Sequence, residues 1–65
     1  MKHYYFIENE SGEEFLVGAG NYFEAEQIAL EIADDIAIHY AIHPDLSFEY
    51  EMTDEEAENS GLDEY

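Results

Sequence analysis

Carboxylates are the most numerous side chains of this sequence that could do chemistry. The 65 residues include 18 Asp and Glu but one cation, Lys2, which gives a formal net charge of −17 at pH 7. Acid–base catalysis needs carboxyl groups whose environments separate their pKa values, usually through burial. Most of these acids fall on faces predicted to be exposed, and no Ser or Thr has a neighbouring His. The sequence therefore predicts that the protein is not an enzyme.

Two metal-binding patterns are present in part. His39 and His43 have the i, i+4 spacing of a helical metal pair, but a helix that ends near Tyr40 would lose that geometry. The acidic segment DEEAENSGLDEY (54–65) has the length of a calcium-binding EF-hand loop. However, Asn59 stands where the loop needs Gly, and Tyr65 where it needs a bidentate Glu. The sequence predicts no dedicated metal site and no cofactor.

The elements that position the carboxylates are predicted by local patterns. HYYFIE (3–8) is rich in aromatic and β-branched residues, as strands are. It has apolar residues at both odd and even positions, so both faces of the strand would be covered, which favours a central place in the sheet. The polar connection 9–14 contains Gly12 and suits a hairpin loop. FLVGA (15–19) is predicted to be the returning strand.

A single amphipathic helix is predicted over 22–40. Asn21 is a favoured N-cap, and Glu24 stands three positions later, as in a capping box. Apolar residues then recur with the helical period, so the outer face is acidic, and Pro44 prevents continuation. Three large apolar residues lie in the acidic stripe or at its margin and are expected to be partly exposed: Phe23, Leu30 and Ile38.

The sequence LSFEYEM (46–52) alternates without interruption between apolar and polar residues. It predicts a strand with one acidic face in water and one face on the core, the latter formed by Leu46, Phe48, Tyr50 and Met52. Thr53 with Glu56 predicts the N-cap of a short helical turn that ends by Asn59, Ser60 and Gly61. The residues after it are expected to fray.

These elements combine into an α+β fold of the order ββαβ. Because crossover connections are right-handed, we expect the chain to pass from the second strand over the first to the third. This gives a three-stranded antiparallel sheet of order 2-1-3 with one helix packed on one face. We expect a single domain over 1–53 and an acidic C-terminal extension over 54–65. A domain this small buries only about 60% of its unfolded surface.

The charge and composition restrict location and partners. Nucleic acid and anionic membrane surfaces both require positive charge, so direct binding to either is not expected, and the predicted partner is a basic protein. The absence of Cys suits a reducing cytosol, and neither a signal peptide nor a membrane span is predicted. Adaptation to high salt is an alternative, but thirteen Glu to five Asp and an Ile- and Tyr-rich core are not what we expect of halophiles.

Carboxylates on rigid elements can imitate the phosphates of DNA. Glu49 and Glu51 on one strand would stand ~7 Å apart at a rise of ~3.3 Å per residue. Glu24, Glu31 and Asp35 on one helix would be spaced by ~10 and ~6 Å. These distances have the order of phosphate spacing, and carboxylates accept bidentate Arg contacts as phosphates do.

The chain resembles the small acidic DNA-mimic proteins of phages, especially the anti-CRISPR proteins that inhibit Cas9. The resemblance covers the whole chain and rests on short length, extreme acidity, the absence of Cys and a small sheet packed on a helix. It implies a protein of the host bacterial cytoplasm that occupies the basic cleft of Cas9 with its guide RNA and blocks PAM and target DNA. The alternatives are an acidic adaptor, or a phage inhibitor of a restriction enzyme or transcription regulator.

The residues expected to contact Lys and Arg of the partner fall into two sets. The first, called here the strand–tail set, comprises Glu49, Glu51, Asp54, Glu55, Glu56 and Glu58. The second, called the helix set, comprises Glu24, Glu31, Asp34 and Asp35.

Overall fold

The computed structural model describes residues 1–40 and 44–65, with 39 and 40 described by their backbone alone. The elements follow in the order β1 (Lys2–Glu8), β2 (Glu14–Ala19), α1 (Tyr22–Tyr40), β3 (Leu46–Met52) and α2 (Asp54–Ser60). The strands form one sheet of order β2-β1-β3, and both pairs are antiparallel. The predicted α+β class, ββαβ order and sheet order are confirmed, and the short helical turn predicted after Thr53 is α2.

The larger core lies between the sheet and α1. Even-numbered residues of β1 and odd-numbered residues of β2 point towards α1, which meets them with small side chains and half-buried isoleucines. The buried members of this core are Tyr4, Phe6, Phe15, Val17, Ala19, Ala25 and Ala29. The helix therefore contributes its two buried alanines and its half-buried isoleucines to this core.

A second, smaller core lies on the opposite face of the sheet. Tyr5, Leu16 and Met52 are buried there, and Ala57 of α2 and Leu62 pack against them. β1 is therefore covered on both faces, as its two apolar parities predict. The residues after β3 supply the cover on the side away from α1.

The register between β1 and β3 contains a β-bulge. Tyr5 lies opposite Tyr50 and Phe6 opposite Phe48, so Glu49 is an extra residue in β3. An extra residue in one strand reverses the alternation of side chains beyond it.

The bulge places the aromatic side chains of β3 on opposite faces. Phe48 packs against Phe6 with ring centroids 5.7 Å apart, beside α1. Tyr50 packs against Tyr5 at 5.1 Å, on the face that α2 covers. The prediction of one core-facing side is therefore wrong for the set Leu46, Phe48, Tyr50 and Met52, because the first two face α1 and the last two face α2.

The C-terminal residues extend the sheet beyond β2. The amide of Gly18 donates to the carbonyl of Tyr65 at 2.9 Å, and the amide of Tyr65 donates to the carbonyl of Leu16 at 2.8 Å. Glu64 forms a parallel bridge with Leu16, and the rings of Phe15 and Tyr65 lie 5.9 Å apart. The expectation that these residues fray is wrong, because their backbone is hydrogen-bonded to the outer edge of β2.

Both helix starts are capped by the residues that the sequence predicts. Asn21 Oδ1 accepts from the amide of Glu24 at 2.9 Å, and the Glu24 carboxylate accepts from the amide of Gly20 at 3.1 Å. At α2, Thr53 and Glu56 form a reciprocal capping box, with distances of 3.1 and 3.0 Å. Two acidic side chains of the predicted binding sets are thus also cap residues.

Candidate functional site

The six acids of the strand–tail set are all exposed, on β3 and α2. Three of them have structural partners: Glu51 lies 3.9 Å from the ammonium of Lys2, Asp54 hydrogen-bonds His3, and Glu56 belongs to the capping box. Among residues 1–40 and 44–65, the other three have no hydrogen bond or ion pair. Those three, Glu49, Glu55 and Glu58, are free to contact a partner without any loss within the fold.

The four acids of the helix set are also exposed, along α1. Glu24 is engaged at the helix start, whereas Glu31 and Asp34 make no hydrogen bond or ion pair within the described part of the chain. Their stripe runs along the solvent side of α1 and is interrupted by large apolar side chains. Phe23, Leu30 and Ile38 are 70%, 54% and 79% exposed, as their positions at the margin of the stripe predict.

Most of the strand–tail set, but not Glu51, lies on the side of the sheet opposite the helix set. α1 packs on the face formed by Tyr4 and Phe6, and α2 packs on the face formed by Tyr5 and Met52. The acids of α2 therefore lie on the side away from the helix set, whereas Glu51 lies opposite Tyr4 in the register and so shares the side of α1. A flat partner can contact the acids of α2 or the helix set, whereas a partner that surrounds the molecule can contact both.

A histidine held between two carboxylates joins β1 to α2 and the C-terminal residues. His3 is buried, and its Nε2 lies 2.6 Å from Asp54 Oδ1, while its Nδ1 hydrogen-bonds the carboxylate of Glu64. The hydrogen bond to Glu64, followed by that to Asp54, raises the pKa of His3 above its ordinary value of 6.5 and outweighs burial, which lowers it. Protonated His3 is thus an internal cation in a chain that has few.

This cluster is not among the predicted sites, although the sequence contains one signal for it. His3 has the same strand parity as Tyr5, and a central β1 next to β3 places it opposite Met52. Asp54 follows Met52 by two residues and so comes within reach of the imidazole. Glu64 carries no such signal, because its position depends on the docking of the C-terminal residues on β2.

A second buried ionisable group, Glu8, serves the turn between β1 and β2. Its carboxylate accepts hydrogen bonds from the amides of Asp45, Ser11 and Glu10 at 2.7, 2.8 and 3.0 Å. These bonds, the one from Asp45 first, lower the pKa of Glu8. The ionised carboxylate therefore links the hairpin loop to the residue that precedes β3 through hydrogen bonds.

Tyr5 is the remaining ionisable group with a large change in acidity. Burial, assisted by a 2.9 Å hydrogen bond from its hydroxyl to Glu14 Oε1, raises the pKa of Tyr5 to about 12. Because this pKa is far above neutral pH, the phenol stays protonated and donates its hydrogen bond to Glu14. Its role is to tie β1 to β2 on the face that α2 covers.

The described residues contain no group of three or more His, Cys, Asp or Glu arranged to hold a metal ion. The predicted loss of the His39–His43 metal geometry stays a prediction, because His43 and the side chain of His39 lie outside the described residues. No helix in the described ranges has both the length and the apolar character needed to cross a membrane.

Comparison with known proteins adds no relative. No protein-family model, no curated protein and no solved structure matches the chain. The functional assignment therefore depends on the charges, contacts and exposed side chains of this molecule itself.

Proposed function

We propose that the protein is a DNA mimic that inhibits a DNA-binding protein by occupying its basic nucleic-acid-binding cleft. The first candidate target is a Cas9-type CRISPR nuclease with its guide RNA, whose PAM-reading arginines would bind carboxylates in place of DNA. The protein would then act as an anti-CRISPR of phage origin in the bacterial cytoplasm. It binds no nucleic acid itself and catalyses no reaction.

One observation carries the proposal: exposed carboxylates stand on folded elements on both sides of the sheet, and a single Lys opposes them. Lys2 is itself largely exposed and lies 3.9 Å from Glu51, so it offsets the charge of one carboxylate and the rest of the field stays negative. A field of one sign accelerates association with a basic partner and disfavours acidic ones.

The placement of the acids of α2 and the helix set on opposite sides of the sheet favours a cleft over a flat surface. The Cα positions extend over 35 × 21 × 16 Å, so a groove that surrounds a nucleic acid can enclose the molecule from both sides. Cas9 reads its PAM through two arginines that contact guanines bidentately. Carboxylates offer arginine the same bidentate geometry.

Competition with duplex DNA tests the proposal. A Cas9–guide complex is titrated with the protein in the presence of a fluorescent PAM-containing duplex, and displacement of the duplex is followed by anisotropy. We expect loss of the duplex as the protein is added. A duplex that stays bound at saturating protein excludes this target, and repetition with restriction enzymes and repressors extends the test.

Variants of the free carboxylates locate the contact. Glu49, Glu55 and Glu58 changed together to Gln should weaken inhibition about 100-fold, since three charged contacts of ~1 kcal/mol each amount to two decades in affinity. Glu10→Gln, Glu13→Gln and Asp63→Asn remove the same charge outside both sets and serve as the matched control. Equal losses in the two triple variants would show that net charge alone, and not the strand–tail set, determines binding.

A second candidate function is an acidic adaptor that binds a basic protein without displacing DNA. The apolar side chains Phe23, Leu30 and Ile38 favour it, because a phosphate backbone has no counterpart to them. In the competition assay an adaptor stays bound while the duplex remains in place.

A further inference from the structure

The outer face of α1 combines exposed apolar side chains with the spacing of a coiled-coil seam. Phe23, Leu30 and Ala37 recur every seven residues, and Gln27 and Asp34 stand between them at intervals of four and three. These are the d and a positions of a heptad repeat. Phe23 and Leu30 are 70% and 54% exposed, whereas Ala37 is half-buried.

The positions that flank this seam are acidic. Glu24 and Glu31 occupy e positions on one side, and Glu26 occupies a g position on the other; all three are exposed. Charges at e and g determine which helix a coiled-coil helix accepts. Asp34, a polar residue within the seam, also favours a basic partner helix, because a carboxylate that becomes buried on binding must be paired with a cation.

An additional apolar feature adjoins the seam. Leu30 also lines a groove of about 380 Å³ between α1 and β3, together with Tyr22 and Phe48. Phe48 is in edge contact with Tyr22, with centroids 5.0 Å apart, and both rings are partly exposed. A side chain that projects from a partner helix can therefore enter an aromatic-walled recess beside the seam.

We propose that the outer face of α1 binds a basic amphipathic helix of the target protein. The proposal rests on the proposed function in one respect, namely that the target is basic. The docked helix places apolar side chains against Phe23 and Leu30 and a Lys or Arg against Asp34, while basic residues at its own flanking positions face Glu24, Glu26 and Glu31. The seam from Phe23 to Ala37 is ~21 Å long, which corresponds to two heptads.

Charge excludes the other obvious occupant, a second copy of this chain. Pairing of α1 with α1 would bring the flanking glutamates of two molecules together, and like charges at e and g positions oppose association. Each copy carries a formal charge of −17. A cationic helix relieves the same repulsion that a second copy would increase.

Two synthetic peptides of identical composition test the inference. Both have 21 residues and contain Leu and Lys; one places Leu at every a and d position except the one that faces Asp34, and the other has the same residues in scrambled order. Binding of each to the whole protein is measured by isothermal titration calorimetry at about 0.5 M NaCl, where the Debye length is below ~8 Å and nonspecific charge attraction is weak. We expect the amphipathic peptide to bind at least about 10-fold more tightly than the scrambled one.

Variants assign any difference to this face. Phe23→Ser with Leu30→Ser should abolish the preference for the amphipathic peptide, and Tyr50→Ser, on the opposite face of the sheet, should leave it unchanged. Circular dichroism of all three proteins verifies that the fold is retained. Equal binding of the two peptides, or a preference that survives the double substitution, would overturn the inference.

Two further outcomes separate this inference from the proposed function. If the protein displaces the duplex from Cas9 but does not prefer the amphipathic peptide, the DNA-mimic proposal stands and the helix-docking inference is refuted. If it prefers the amphipathic peptide but displaces DNA from no target, the helix-docking inference stands and the DNA-mimic proposal is refuted. Sedimentation of the protein alone tests the second-copy alternative: we expect a monomer. A dimer that dissociates on Phe23→Ser with Leu30→Ser would assign the face to self-association and refute the proposal.

Discussion

The His3 cluster provides the most informative test of how this fold is held together. Substitution of His3 by Gln removes the cation between Asp54 and Glu64 but keeps a polar side chain of similar length. The change disconnects β1 from the start of α2 and from the C-terminal residues at once. We expect it to lower the free energy of unfolding in a pH-dependent manner.

The size of the effect follows from the exposure of the two carboxylates. The Glu64 side chain is 28% exposed, so its charged hydrogen bond contributes about 1.5–3 kcal/mol. The Asp54 side chain is 90% exposed, so solvent screening reduces its contribution to about 1 kcal/mol or less. The expected loss of about 2–4 kcal/mol is a large share of the roughly 3–10 kcal/mol typical of a 65-residue domain.

The pH dependence has a defined sign. Because the carboxylates raise the pKa of His3 in the folded protein, its contribution is fully present below the unfolded pKa of 6.5 and is lost as the pH rises through the folded pKa. Urea unfolding followed by circular dichroism, at pH values from 6 to 9.5, measures the difference between the parent protein and the variant. The difference should be largest at pH 6 and should shrink with increasing pH.

A pH-independent difference would refute this account, since it would mean that His3 acts by packing alone. If His3→Gln does not fold, Glu64→Gln removes one partner and keeps the imidazole. NMR titration of His3 in that variant should then give a lower pKa than in the parent protein, and an unchanged pKa would contradict the assigned role of Glu64.

Three further predictions follow from contacts elsewhere in the fold. Gly18→Ala should lower the pKa of His3 in an NMR titration, because the added methyl would lie 2.9 Å from Glu64 Cδ and displace that side chain; an unchanged pKa would contradict it. Thr53→Ala should cost about 1 kcal/mol through loss of the capping box and lower the melting temperature by about 4–8 °C in a thermal circular dichroism scan; a shift under ~1 °C would show that α2 does not depend on its cap. Raising the salt concentration from about 0.01 to about 1 M shortens the Debye length from ~30 to ~3 Å and should raise the melting temperature of the parent protein by relieving self-repulsion; a melting temperature that does not change would contradict a field of one sign.

The parts of the fold that the sequence predicts are those with local signals. α1 has an N-cap at Asn21 and a sustained helical period, and α2 has the capping box of Thr53 and Glu56. β1 is apolar on both parities, which is sufficient to place it in the centre of the sheet. Each of these signals is contained within a few residues of the element that it specifies.

The bulge in β3 could not be predicted in the same way. LSFEYEM alternates regularly, so by itself the pattern favours an uninterrupted strand with one inward face. The extra residue at Glu49 is determined by the two cores that β3 must serve, one against α1 through Phe48 and one under α2 through Tyr50. That requirement becomes visible only once both faces of β1 are known to be covered.

The candidate site likewise has one part that local signals predict and another that depends on long-range contacts. Periodicity predicts that the strand–tail and helix sets are exposed, and all their members are exposed. The placement of the acids of α2 on the side away from the helix set depends on where α2 packs, and the His3 cluster depends on contacts 51 and 61 residues apart in the chain. Long-range contacts of this kind leave no trace in local spacing.

The two edges of the sheet bear on how the protein behaves when it is concentrated. An open edge strand is a template for pairing with another chain and a common origin of aggregates. On β2 the amide of Gly18 and the carbonyl of Leu16 are already occupied by Tyr65, and on β3 the bulge at Glu49 and the exposed carboxylates make the edge irregular and repulsive. Both edges of this small sheet, which is rich in tyrosine and phenylalanine, are thus unfavourable for pairing with another chain.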